Sequence, residues 1–109
     1  MATTRKVLGQ SAPAATTNAD LYTVPASTST VCSTLVVCNR GATSATFRVA
    51  VRPAGATLAN AHYLYYDVQL QAGDSFAATI GVTLAATDVV TVRASTAECS
   101  FSLFGEETT

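Results

Sequence analysis

Charge is what this chain has least of: among 109 residues there are six Lys and Arg and seven Asp and Glu, 12% in all, about half the usual share. The formal net charge of -1 supplies no long-range field for gathering nucleic acid or an anionic membrane, so neither is expected as a partner. Long apolar runs are missing too. No segment approaches the roughly 18 consecutive apolar residues of a membrane span. The opening MATTRKVLGQSAPAATTNAD has two cations but no apolar stretch behind them of the kind a secretion signal needs. These absences lead us to expect a chain made in a cytoplasm that stays soluble.

Chemistry-bearing residues are equally sparse. His62 is the only histidine, no serine or cysteine motif surrounds it, and no second histidine exists to complete a metal site of the usual kinds. Cys32, Cys38 and Cys99 are odd in number and lack C-x-x-C spacing, which argues against a disulfide framework and against zinc. Cys32 and Cys38, on one uninterrupted strand, would share a face about 20 Å apart, too far to bridge. A bridge from either to Cys99 stays geometrically open, but three buried free thiols are the expectation. The stretches GATLANAH and GVTLAATD lack the glycine spacing of phosphate loops. Asp20, Asp67, Asp74, Asp88 and Glu98 are scattered singly at strand starts and turns, where a carboxylate accepts backbone N–H bonds, and nothing selects two of them as an acid–base pair. No catalytic residue, metal or cofactor is therefore expected, and the protein is read as no enzyme.

What remains is rich in Thr, Ala, Ser and Val and alternates with period two. Residues 31–38 are rich in β-branched side chains and end at Asn39-Arg40-Gly41, a turn signal. Across it, Phe47, Val49 and Val51 alternate with Thr46, Arg48, Ala50 and Arg52, so residues 31–38 and 46–52 form a hairpin candidate with one buried face. Pro53-Ala54-Gly55 breaks the run, and ATLANAH is too short for a stable helix. Farther on, Gly73-Asp74, a bend or bulge at Gly81, and Ala97-Glu98 punctuate short strands; Val90, Val92 and Ala94 share one face, as do Cys99, Phe101 and Leu103. Six to eight short strands without an amphipathic helix predict an all-β, single-domain antiparallel β-sandwich, jelly-roll or immunoglobulin-like, over residues 20–109. Residues 1–19 read as an extended N-terminal arm, apart from a possible short strand at Lys6-Val7-Leu8.

The stretch AHYLYYD holds His62 and Tyr63, Tyr65 and Tyr66. Strand alternation would turn Tyr63 and Tyr65 one way and Leu64 and Tyr66 the other, covering the core with one pair while the remaining tyrosine reaches outward. Sheet packing plus an interface contact explains it better than a sugar-binding platform. Arg48 and Arg52 share the face away from the core and Arg40 sits at the turn before them, a set able to pair with carboxylates of a neighbouring chain.

The stretches LYTVPASTSTVCSTLVVCNRG, TFRVAVRPAGATLANAHYLYYD, FAATIGVTLAATDVVTVRAST and SFSLFGEE, covering residues 20–107, resemble small β-sandwich virion structural proteins of tailed bacteriophages. The resemblance implies a capsid decoration or cement protein that sits on the capsid exterior, binds the major capsid protein and stabilises its shell, as a homo-oligomer with a trimer favoured. Its contacts would fall on Arg5 and Lys6 of the arm, on Arg40, Arg48 and Arg52, and on His62, Tyr63, Tyr65 and Tyr66. The alternative is a tail, baseplate or fibre-associated protein with host-glycan binding.

Overall fold

A computed structural model describes residues 2–109. Among the described residues there are eight strands: β1 (Thr3–Ser11), β2 (Ala19–Thr23), β3 (Ser29–Asn39), β4 (Ala45–Arg52), β5 (Tyr63–Leu70), β6 (Ser75–Leu84), β7 (Val89–Ala94) and β8 (Cys99–Thr108). They form two four-stranded sheets, ordered β1-β8-β3-β6 and β2-β7-β4-β5, and every pairing is antiparallel.

This order has a simple origin. The pairs β4–β5, β3–β6, β2–β7 and β1–β8 nest inside one another, as in a long hairpin whose apex is the β4–β5 connection. Rolling that hairpin brings β8 beside β3 and β7 beside β4. The result is the jelly roll of the two expected sandwich types. All consecutive strands except β4 and β5 lie in different sheets, so the expected hairpin of residues 31–38 with 46–52 does not form. Both segments are strands with one buried face, but β3 and β4 face each other across the core. Asn39 makes the crossing: its buried amide donates to the carbonyls of Thr43 at 2.8 Å and of Leu70 and Gln71 at 3.2 Å, and its carbonyl accepts the Gly41 N–H.

Period-two burial is clearest in β8, where Cys99, Phe101 and Leu103 are buried and Ser100, Ser102 and Phe104 face outward. Phe47, Phe101, Leu35, Leu103, Val37, Val49 and Val92 fill the space between the sheets. Phe47 stacks edge-on against Phe101 and lies 5.3 Å from Phe76, which in turn packs 5.2 Å from Tyr65. These rings line the core on the side where the sandwich is open.

The N-terminal arm is corrected by the structure. Residues 3–11 are β1, paired with β8 along its length, and Leu8 points into the core. A bulge between Val7 and Gly9 turns the strand, and the Leu21 carbonyl of the opposite sheet occupies the space a Cβ at residue 9 would need. Only residues 12–18 remain irregular, as the link to β2.

Bulges also overturn two parity expectations. In β3, Ser33 is the extra residue against β8, so Cys32 faces the core and Cys38 faces out. Gly105 sits opposite this bulge, where the Val31 carbonyl leaves no room for a side chain. In β5, Val49 opposes Tyr65 while Ala50 opposes Tyr63, which makes Leu64 the extra residue. Tyr65 therefore packs inward on Phe47 and Phe76, and Tyr63 stands on the outer face. Of the bend or bulge expected at Gly81, the structure has a bulge, with φ of 59°.

Candidate interaction surface

The outer face of the β2-β7-β4-β5 sheet gathers Arg48, Tyr63 and Tyr66. A second irregularity in β5 places Asp67 at φ 51°, a left-handed conformation that Asp tolerates better than most residues. From there its carboxylate takes two parallel bonds from the Arg48 guanidinium, at 2.6 and 3.1 Å. That fork, with Arg93 nearby, holds the Asp67 carboxyl below its ordinary range and keeps Arg48 still more firmly protonated than usual. The guanidinium also covers one face of Tyr66 at 4.1 Å, and the Tyr63 ring meets Tyr66 edge-on at 4.9 Å. Arg93 lies directly opposite Arg48 across β4 and β7, two like charges in one register with the Asp67 carboxylate beside them.

Arg52, at the far end of β4 from Arg40, is half-buried. It donates to Asp20 at 2.9 Å, to Thr91 Oγ1 at 2.9 Å and to the carbonyls of Gly55 and Ala56, tying the Pro53–Gly55 turn to β2. Arg40 pairs loosely with Glu98 at 3.8 Å and donates to the Ala97 carbonyl. Arg48 and Arg52 thus share the outer face of β4 as expected, but Arg40 lies at the opposite end from Arg52, and the carboxylates all three pair with belong to their own chain. His62 accepts the Ala59 N–H at 3.0 Å through Nδ1 and so closes the short 3₁₀ turn Asn60–His62. Asp88 plays the turn role expected of it, accepting the N–H groups of Ala54 and Ala85.

The outer face of the β1-β8-β3-β6 sheet has a different character. Val7 and Phe104 are direct cross-strand neighbours, and Arg5, Glu106 and Val31 form the adjacent row. A shallow groove of about 440 Å³ runs between Arg5, Lys6, Val31, Ser33, Phe104, Gly105 and Glu106. Val7 and Val31 are 47% and 40% exposed. Arg5 at its rim is already paired with Glu106 at 3.4 Å, whereas the Lys6 side chain alternates to the sheet's other side and pairs there with Glu107 at 3.3 Å. Of the sequence candidates, Arg5 belongs here, Lys6 borders the groove but pairs with Glu107 on the core side of β1, Arg48, Tyr63 and Tyr66 belong to the opposite face, and Arg40, Arg52, His62 and Tyr65 serve turns or core. Phe104 and Val31 escaped the sequence reading; the outward parity of Phe104 beside Leu103 was the available signal.

Cys32, Cys38 and Cys99 are free. Burial pushes the Cys32 thiol up to about 11 and raises that of Cys99. Comparison with family models, curated proteins and solved structures finds no match to the chain.

Proposed function

We propose that this chain is a bacteriophage virion structural protein, a decoration protein that lies on the capsid exterior and stabilises the shell by binding the major capsid protein. The observation that carries this reading is the β1-β8-β3-β6 outer face: a shallow apolar groove around Val31 and Phe104, rimmed by Arg5, whose charge is neutralised within the chain by Glu106. An apolar centre with a satisfied polar rim is the composition of a protein-binding patch. Pairing Arg5 with Glu106 in advance lowers the cost of covering it. A jelly-roll body adds rigidity, so little ordering entropy is lost on attachment. Many weak contacts, multiplied by a homo-oligomer, would hold firmly.

The test is to incubate purified protein with emptied heads and image the particles. Hundreds of copies per particle at regular positions on the outer shell, lost on Phe104→Glu, are expected. Copies confined to the tail would move the protein to the second reading, a tail or fibre component, for which the exposed Tyr66 is the supporting feature. One face of that ring is already covered by Arg48 and its neighbour Tyr63 meets it at right angles, which leaves a sugar at most the other face to stack on.

A further inference from the structure

A sheet ends in strands whose outer N–H and C=O groups have no partner, and folded proteins blunt such edges with charge, bulges or brevity. Three of the four edges here are blunted. β1 carries Arg5, Lys6 and the bulge at Val7–Gly9; β2 has five residues, a bulge and Asp20; β5 has two bulges and Asp67. β6 is the exception. Its ten residues, SFAATIGVTL, include no charge and no proline, and its one irregularity is confined to Ile80–Gly81. Residues 75–79 are a regular, neutral, open edge.

The direction of its free groups follows from the ladder. The Asn39 N–H donates to the Asp74 carbonyl at 2.9 Å, so Asn39 and Asp74 are a hydrogen-bonded pair, and antiparallel alternation makes Val37–Phe76 and Leu35–Ala78 the next ones. The amides of Phe76 and Ala78 thus serve β3, and those of Ser75, Ala77 and Thr79 point away along the open edge.

We propose that this edge is where two copies of the chain pair, antiparallel about a two-fold axis at Ala78, joining their four-stranded sheets into one continuous sheet. In that register Ala77 and Thr79 of one copy exchange bonds with Thr79 and Ala77 of the other. Phe76 comes to lie opposite Ile80 on the core side. No charge meets a like charge, which an edge bearing Lys or Asp would not allow at a self-pairing contact. The contact also covers the apolar mouth beside β6, a space of about 460 Å³ lined in part by Leu64, Tyr65, Ile80 and Val82, where Leu64 is 45% exposed. An isologous contact of this kind closes at two copies, which departs from the trimer the resemblance implies. The pairing is independent of what the protein attaches to.

Light scattering over a range of concentrations is expected to find twice the chain mass, and hydrogen exchange to find the Ala77 and Thr79 amides protected more strongly as concentration rises. Thr79→Pro removes an outward N–H, a position where an edge strand accepts proline. It should keep the wild-type circular dichroism and weaken the dimer roughly thirtyfold, two bonds being lost by symmetry; Thr79→Val should not. A folded Thr79→Pro protein that dimerises as well as wild type overturns the proposal. So does a wild-type monomer with freely exchanging Ala77 and Thr79 amides, or protection that arises only when emptied heads are added, which would give the edge to a strand of another protein. If Thr79→Pro fails to fold, the exchange measurement on the wild type decides alone.

Discussion

The Tyr22 hydroxyl, on β2, donates to the Glu107 carboxylate, on β8, at 2.5 Å, and so ties one sheet of the jelly roll to the other. Its single proton being committed there, the Thr30 hydroxyl 2.8 Å away must be the donor in their shared bond. Tyr22 and Thr30 are buried, and Lys6 closes the chain of contacts from outside at 3.3 Å from Glu107. Tyr22→Phe strands the Thr30 hydroxyl and removes a bond to a charged acceptor, at a cost of about 2 kcal/mol. Chemical denaturation comparing Tyr22→Phe with wild type measures it, and an unchanged midpoint would show the linkage to be idle.

The same linkage sets a pH dependence. The Tyr22 bond, and then Lys6, hold the Glu107 carboxyl below its ordinary range. A carboxyl depressed in the folded state stabilises the fold above its unfolded pKa, near 4.3, and that contribution disappears as pH falls through the folded value. Glu107→Gln should therefore lower Tm at neutral pH, with the gap to wild type narrowing below about pH 4. Melting curves from pH 7 to pH 3 test this; parallel profiles would contradict it.

The sheet content, the inward sets Cys99–Phe101–Leu103 and Phe47–Val49, and the turns at Gly73 and Ala97 were legible in the sequence because alternation reports burial directly. What alternation cannot report is an inserted residue. Ser33 reverses the parity along the rest of β3, and Leu64 puts Tyr63 and Tyr65 on opposite faces, so Cys38 and Tyr63 turned out on faces opposite to those the pattern implied. Strand partners were hidden for a related reason. A turn signal such as Asn39-Arg40-Gly41 marks where the chain reverses, yet β3 and β4 cross between sheets there, held by one buried Asn whose contacts lie as far as 32 residues away. Of the candidate surface residues, Arg5, Lys6, Arg48, Tyr63 and Tyr66 do lie outside, but their carboxylate partners Glu106, Glu107 and Asp67 are intramolecular, which spacing alone did not reveal.

Because residues 3–11 are a strand of the sandwich, the N-terminal segment is not dispensable. Deleting residues 1–11 unpairs β8, removes Leu8 from the core and should leave a protein that no longer unfolds cooperatively. Leu8→Ala isolates the packing part and should cost about 2 to 4 kcal/mol. Thermal melts of both variants test the assignment; a truncated chain that melts like wild type would show β1 to be a detachable arm after all.

Thiol reactivity should separate the three cysteines. The thiolate is the reactive form, and burial raises the Cys32 and Cys99 thiols while leaving both inaccessible. Cys38, turned outward by the Ser33 bulge, is the partly exposed one. An aromatic disulfide reagent at neutral pH should label one thiol per chain quickly, abolished by Cys38→Ser, and the other two only on unfolding. Rapid labelling of Cys32 would mean that the bulge, and with it the parity of β3, is misplaced.

Arg48 and Arg93 face each other across β4 and β7, and the Asp67 fork is what makes that register tolerable. Asp67→Ala removes the fork, places a Cβ-bearing residue with no polar side chain at positive φ, and leaves two like charges opposed. Its Tm should fall, and fall further at low ionic strength, since salt screens the repulsion it uncovers. Arg93→Gln in the same background removes one of the two charges. The double variant should therefore recover part of the lost Tm and lose most of its salt sensitivity, whereas Arg93→Gln alone should change little. Melts of the four proteins at low and high salt form a double-mutant cycle. Equal salt dependence in all four would mean that solvent already separates the two guanidinium groups and that Asp67 serves the bend in β5 alone.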